Sequence, residues 1–230
     1  MNNGIFLAFD IDGTIYDAGD ILEESFRLGI ETFVESGEDS SIHVPTREEI
    51  TVTLGYPLGE IFMMLFPALE IHKRNELAVL CTVNLVKMIK EKKGSLIDGV
   101  DETIKTLNSM KYKMLVASNG ARAYVEAILE TYDLKKYFSE PFIYPEGTIK
   151  NKTDIIGSYI KLNPDRELVM IGDRYTDLAA AKENGIPFIG CAFGHAGVDE
   201  IEGEKYIVHD FRDIPGILER IKEDSNTLLR

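Results

Sequence analysis

Short apolar runs rich in β-branched and aromatic residues punctuate this chain: Ile5 to Phe9, Met114 to Ala117, Phe142 to Tyr144, Leu168 to Ile171 and Phe188 to Ala192. Each has the length and composition of a buried strand. Between them lie stretches of helical period, with stripes at Val100, Ile104 and Leu107; at Val125, Ile128, Leu129 and Tyr132; and at Ile155, Ile156, Tyr159 and Ile160. Strand, helix and strand in succession predict a parallel sheet. Right-handed crossovers then put helices on both of its faces, which makes the core α/β, doubly wound and Rossmann-like. In such a sheet a ligand sits at the carboxyl ends of the strands.

The alternation is interrupted after the first strand. From Asp17 to about Lys93 the periodicity is helical throughout, so the chain divides into a core of residues 1–16 and 97–230 and an inserted all-helical domain of residues 17–96. Inside the insertion, Thr46 stands three residues before Glu49, the spacing of a capping box that opens a helix. A later stripe of Leu77, Leu80, Cys81, Leu85 and Met88 ends in Lys90-Glu91-Lys92-Lys93-Gly94, with cations at the negative end of the helix and Gly94 as the expected C-cap.

Composition narrows the partners. The 230 residues are 44% apolar and carry a formal net charge of −14. That is enough hydrocarbon for an unstapled core and a surface that repels phosphate backbones and anionic lipid, so neither nucleic acid nor membrane is an expected partner. Cys81 and Cys191 read as two reduced, buried thiols. The opening Met1-Asn2-Asn3-Gly4 lacks the basic segment of an export signal. Ile61 to Leu69, the longest apolar stretch, contains Pro67 and is about half the ~20 residues of a spanning helix. These features place the chain in the cytoplasm as a soluble protein; its oligomeric state is not legible.

The chemistry concentrates at the predicted strand ends. Ile5 to Phe9 runs straight into Asp10-Ile11-Asp12-Gly13-Thr14, Leu168 to Ile171 into Gly172-Asp173-Arg174-Tyr175-Thr176-Asp177, and Met114 to Ala117 into Ser118-Asn119-Gly120. Taken alone, each is an ordinary turn after a strand. In one parallel sheet they share an edge, so four carboxylates, a hydroxyl and free backbone amides converge there. Carboxylates that close together require a cation or a shared proton. Hard oxygen donors without a His or Cys cluster favour Mg²⁺ over Zn²⁺, and Mg²⁺ works with phosphates. Lys152, which opens the helical stripe after the third run, or Lys150 two positions earlier, would supply a fixed cation for a bound phosphoryl group.

These residues resemble the haloacid dehalogenase-like (HAD) superfamily of phosphohydrolases, in the subgroup with a helical cap inserted after the first motif. Phe9-Asp10-Ile11-Asp12-Gly13-Thr14 looks like its DxDGT motif, Ser118-Asn119 like its Ser/Thr motif, Lys152 like its lysine motif and Gly172-Asp173 through Asp177 like its GDxxxD motif. Gly55-Tyr56-Pro57-Leu58 is similar to a cap turn of phosphoglycolate-phosphatase-like members. One departure is Thr153 after Lys152, where many relatives have proline.

The resemblance implies a Mg²⁺-dependent phosphatase acting on a small phosphomonoester, such as phosphoglycolate, a sugar phosphate or a nucleotide, through an aspartyl-phosphate. Asp10 would be the nucleophile and Asp12 the general acid and base. Asp10, the backbone carbonyl of Asp12 and Asp173 would hold Mg²⁺, with Asp177 bound directly or through a neighbour. Ser118 and Lys152 would bind phosphoryl oxygens, helped by the amides of Ile11 and Asn119. The presence of Asp12 disfavours a dehalogenase, which protonates no alkoxide. A phosphoglucomutase-like transferase and a catalytically idle metabolite-binding relative are the alternatives.

Other signals carry less. Gly147 to Thr153 lacks P-loop spacing, and Gly190, Gly194 and Gly197 do not form a dinucleotide fingerprint. The histidines are far apart; His195 reads as a turn residue near the site mouth. Ile61 to Phe66 reads as core of the helical insertion.

Overall fold

Strands of the parallel sheet end in register, and that register positions everything of chemical interest. A computed structural model describes residues 4–19, 21–37, 41–195 and 198–228. Met1 to Asn3 and Gly197, used in the sequence reading, lie outside them. In chain order the elements are β1 (Ile5–Phe9), β2 (Tyr16–Asp17), α1 (Ile21–Glu35), α2 (Arg47–Thr51), α3 (Leu58–Leu65), α4 (Ile71–Lys90), β3 (Ser95–Leu96), α5 (Val100–Ser109), β4 (Lys113–Val116), α6 (Arg122–Thr131), α7 (Lys152–Leu162), β5 (Glu167–Gly172), α8 (Tyr175–Glu183), β6 (Phe188–Cys191), β7 (Ile207–Val208) and α9 (Ile214–Leu228).

The main sheet is five-stranded and parallel, in the order β4-β1-β5-β6-β7. Strand periodicity sorts its two faces. Ile5, Leu7 and Phe9 of β1 pack with Val100, Ile104, Val125, Ile128 and Leu218, whereas Phe6 and Ala8 pack with Ile155, Ile156, Tyr159 and Leu178. The core is therefore α/β and doubly wound, as the alternation predicts. Phe9 pairs with Val116 on one side and Ile171 on the other, so the next residues of β1, β4 and β5 emerge side by side.

Between Asp17 and Ser95 the described residues are helical or irregular, as expected. The capping box is present: Thr46 Oγ1 accepts from the Glu49 amide at 3.3 Å, and Glu49 Oε2 accepts from the Thr46 amide at 2.8 Å. α1 and α4 lie almost backbone to backbone, because a Cβ on Gly29 would collide with Cys81 Sγ and come within 2.9 Å of the Cys81 nitrogen. Phe26 stacks on Phe62 at 5.3 Å, and Phe66 closes the cluster. β2 and β3 pair antiparallel, Tyr16 with Leu96, and form a neck where the helical segment leaves and rejoins the sheet.

Two expectations are corrected, and three short strands were not anticipated. Phe142 to Tyr144 is not a strand. Pro141 and Pro145, which have no amide hydrogen of their own, bracket it, the β4 edge is met instead at Phe138 and Ser139, and the amides of Phe142 and Ile143 donate to the Glu140 carboxylate at 3.1 Å and the Tyr159 hydroxyl at 3.2 Å. Its apolar side chains fill the core without sheet pairing: Phe142 and Tyr144 are buried. Gly94 is not the cap of α4. Lys92 takes the left-handed position at φ 59°, with Lys92 and Lys93 amides donating to Ile89 and Met88 carbonyls, while Gly94 is pressed against the Tyr16 hydroxyl. Finally β2, β3 and β7, each of two residues, carry too little periodicity to be read from sequence.

Cys81 and Cys191 are buried and unpaired with each other, as expected. Among the described residues no helix is long and apolar enough to cross a membrane.

Candidate active site

The chain after β1 turns at once. Ile11's carbonyl accepts from the amides of Thr14, Ile15 and Tyr16, a tight loop that requires φ 74° at Gly13. This loop places Asp10 beside the ends of β4 and β5, and one oxygen from each of Asp10, Asp173 and Asp177 lies within 4.8 Å of the others, all three residues buried. Lys152, at the first turn of α7 and 1% exposed, reaches between them. Its Nζ is 2.8 Å from Asp10 Oδ1 and donates to Asp177 Oδ1.

Glycines make room for this cage. A Cβ on Gly13 or Gly194 would run into the Asp173 carboxylate, and one on Gly172 into Asp177. Asp173 accepts from Thr14 Oγ1 at 3.1 Å and from the His195 amide at 2.7 Å, and Asp177 Oδ2 accepts from the Arg174 amide at 2.9 Å. Ser118 is buried beside Asp10 at the cavity wall, its Oγ accepting from the Gly120 amide at 3.0 Å. Asp12 faces the same cavity from the other side and accepts a hydrogen bond from the Tyr124 hydroxyl.

The electrostatics follow from burial. Desolvation, and then the Asp10 charge, push the Asp12 carboxyl up to about 7, against the Tyr124 hydrogen bond that favours ionisation. Asp173 and Asp177 are raised for the same two reasons, burial first and Asp10 second. Burial alone would discharge Lys152, but Asp10 and Asp177 outweigh it and hold the ammonium above its ordinary value.

The donor set fits a hard dication. Three buried carboxylates face one ammonium, every donor is oxygen, and Asp10 Oδ2 is buried without a hydrogen-bond partner. This gives a first prediction. Acids whose pKa values are raised on folding hold protons that the unfolded chain has lost, so metal-free stability is greatest below about pH 4 with respect to these groups and falls as pH rises through about 7. Exposed, ion-paired carboxylates lean the other way, but weakly. Melting with and without Mg²⁺ should show a larger Mg²⁺-induced rise in Tm at pH 8 than at pH 5; an equal rise at both would separate ion binding from these carboxylates.

Most residues singled out in the sequence converge. Asp10, Asp173, Asp177 and Lys152 form the cage, while Asp12 and Ser118 line the adjoining cavity. The Asp12 side chain stands apart from the three-carboxylate group, so only its backbone carbonyl could join those residues around an ion. Lys150 is excluded from the cage: its Nζ is exposed and donates to the Gly147 carbonyl at 2.6 Å. Asn119 does something the sequence does not announce, since its Nδ2 donates to the Gly55 carbonyl across the cavity at 2.7 Å. Ile11 is fully buried in the loop.

Tyr124, Thr14 and Arg174 were missed. Arg174 is buried, donates to the carbonyls of Thr51 and Val52 at 3.2 and 3.3 Å, and pairs with Glu200 at 3.0 Å. Its place in a strand-end turn between Asp173 and Asp177 gave no signal of these long-range partners. Tyr124 gave none, because a tyrosine in a helical stripe reads as core. His195 contributes through its amide as a turn residue does, while its ring is partly buried near Asp17.

Comparison with known proteins agrees with this geometry. The sequence model of the haloacid dehalogenase-like hydrolases matches residues 7–191. A pyrophosphatase, PpaX, of Listeria monocytogenes is 27% identical over 202 residues, spanning 85% of this chain and 86% of its own. A phosphoglycolate phosphatase of Agrobacterium fabrum is 26% identical over 131 residues, 54% of this chain and 55% of its own. The solved structure of a predicted phosphatase from Clostridium acetobutylicum superposes with a TM-score of 0.74 at 23% identity, covering 94% of this chain and 99% of that one. With the family match running from β1 to the end of β6, the chain belongs to the haloacid dehalogenase-like hydrolases.

Proposed function

We propose that this protein is a Mg²⁺-dependent phosphatase of small phosphomonoesters, with Asp10 as nucleophile, Asp12 as general acid and base, and residues 17–96 as a cap over a catalytic core of residues 1–16 and 97–230. The observation that carries the reading is the Asp10–Asp173–Asp177 cage with Lys152 threaded into it and one Asp10 oxygen left unpaired, opening beside Ser118. The phosphatase names among the relatives point the same way.

Asp10 attacks phosphorus in line, forming an acyl-phosphate bond as the bond to the alcohol oxygen breaks. Asp12 gives its proton to that oxygen; a carboxyl raised to about 7 still holds a proton near neutrality. Tyr124 occupies one Asp12 oxygen, which leaves the other for the leaving group. Asp12 then takes a proton from water, the water attacks phosphorus, and phosphate departs with the Asp10 carboxylate restored. Ser118, Lys152 and the amides of Ile11 and Asn119 bind the phosphoryl oxygens. Asp10, the Asp12 carbonyl and Asp173, with Asp177 beside them, would hold Mg²⁺, which would supply positive charge to offset that of the phosphoryl group.

The test is phosphate release from a panel of phosphorylated metabolites in Mg²⁺. Chelation with EDTA is expected to remove at least about nine-tenths of the rate and excess Mg²⁺ to restore it. Full activity in chelator, or isomerisation of glucose 1-phosphate in place of phosphate release, would overturn the reading.

A further inference from the structure

The cavity that receives the leaving group has an unusual wall. It lies between the strand ends and the helical insertion, and Asp10, Asp12 and Ser118 form its floor. Its roof is hydrocarbon: Leu22, Phe26, Ile50, Leu54, Phe62 and Leu85. Among the described residues lining it there is no Lys, Arg or His; the only charged groups are Asp10 and Asp12.

Several of its polar groups are engaged, and the hydroxyls of Tyr56 and Thr82 also line it. Ser25 Oγ donates to the Leu22 carbonyl at 2.7 Å, Tyr124 donates to Asp12, and Asn119 Nδ2 donates to the Gly55 carbonyl. Asn119 Oδ1 is buried without a partner and remains as a hydrogen-bond acceptor. The cavity measures about 70 Å³, which is room for about five water molecules, or a handful of carbon atoms.

Resting on the phosphatase reading, we propose that the substrate's alcohol is small, uncharged and predominantly hydrocarbon. A second anionic group, such as the carboxylate of phosphoglycolate or the other phosphate of pyrophosphate, would meet no cationic side chain on this wall, and an unpaired buried charge is strongly disfavoured. A sugar would bury several hydroxyls against a wall that is mostly hydrocarbon, and a nucleoside would have to extend into the neighbouring cleft. An alkyl group instead replaces water on an apolar wall. Cations do occur in the neighbouring cleft, outside this cavity. Arg122 is held by both oxygens of Glu146 at 3.0 and 2.9 Å, and Lys150 by the Gly147 carbonyl. Such an alcohol differs from the substrates for which two of the relatives are named.

Two measurements on the full chain with Mg²⁺ test the proposal. In the first, kcat/KM for butyl phosphate is compared with that for phosphoglycolate, of similar size, and for pyrophosphate. The alkyl ester is expected to be favoured at least tenfold, equivalent to about 1.4 kcal/mol. In the second, calorimetry compares butylphosphonate with phosphonoacetate, neither of which can be hydrolysed, and the alkyl compound should again bind at least tenfold tighter. Acetyl phosphate, whose leaving group needs no proton, reads the catalytic core alone. If it releases phosphate while phosphoglycolate or pyrophosphate outpaces butyl phosphate, the alcohol class is overturned and the phosphatase reading stands. If no compound releases phosphate, the phosphatase reading falls, and the calorimetry still decides: tighter phosphonoacetate, or no binding of either phosphonate, sinks the proposal.

Discussion

Asp10→Asn is expected to lower phosphate release by about 10⁴-fold or more, because the loss of a nucleophile is not made good by the remaining groups of a site. The protein should still fold. Asn keeps the shape of Asp, Lys152 retains its bond to Asp177, and one negative charge leaves a crowded set in which Asp10 raises the pKa of Asp12, Asp173 and Asp177. Without metal, the variant's Tm should therefore sit within a few degrees of the parent's, while the increment gained on adding Mg²⁺ should shrink. Activity within tenfold of the parent would remove the covalent step. A collapsed Tm would instead make Asp10 a structural partner of Lys152.

The second large effect lies on that lysine. Replacing Lys152 with Met preserves most of the side chain's volume and strands Asp10 and Asp177 together in a buried site, and breaking a buried pair in this way costs about 3–5 kcal/mol. Urea unfolding in chelator should show that loss, and Mg²⁺ should recover part of it by taking over as countercharge. Turnover in Mg²⁺ should fall by about 10²- to 10³-fold, the usual toll for removing a group that stabilises transition-state charge. The same change at Lys150, exposed and bonded only to the Gly147 carbonyl, should move stability by no more than about 0.5 kcal/mol. Equal effects at the two positions would contradict the cage geometry.

How legible the site was depended on range. Asp10, Asp173 and Ser118 could be brought together from sequence because each follows an apolar run, and parallel register does the rest. Lys152 could be named but not separated from Lys150: two residues apart at a helix start, they differ only in direction, which is fixed when Asn151 caps α7 by accepting from the Asp154 amide. Phe142 to Tyr144 misled because burial and sheet pairing have the same apolar signature, and the flanking prolines were the overlooked sign. Tyr124 and Arg174 were invisible for a different reason. Their partners, Asp12 and the Thr51 and Val52 carbonyls, lie 112, 123 and 122 positions away, and no local pattern encodes such a meeting.

Arg174 and Asn119 grip the helical insertion only by main-chain oxygens, those of Thr51, Val52 and Gly55. A carbonyl is the same whatever side chain its residue carries. These hydrogen bonds therefore do not depend on the side chains of Thr51, Val52 or the neighbouring Leu54, provided the backbone keeps its path, and Gly55 at φ 91° is the one member of the loop whose identity that path demands. The lining of the chamber can thus be exchanged while its fastening stays put, which makes this loop the natural place to retune what the enzyme accepts.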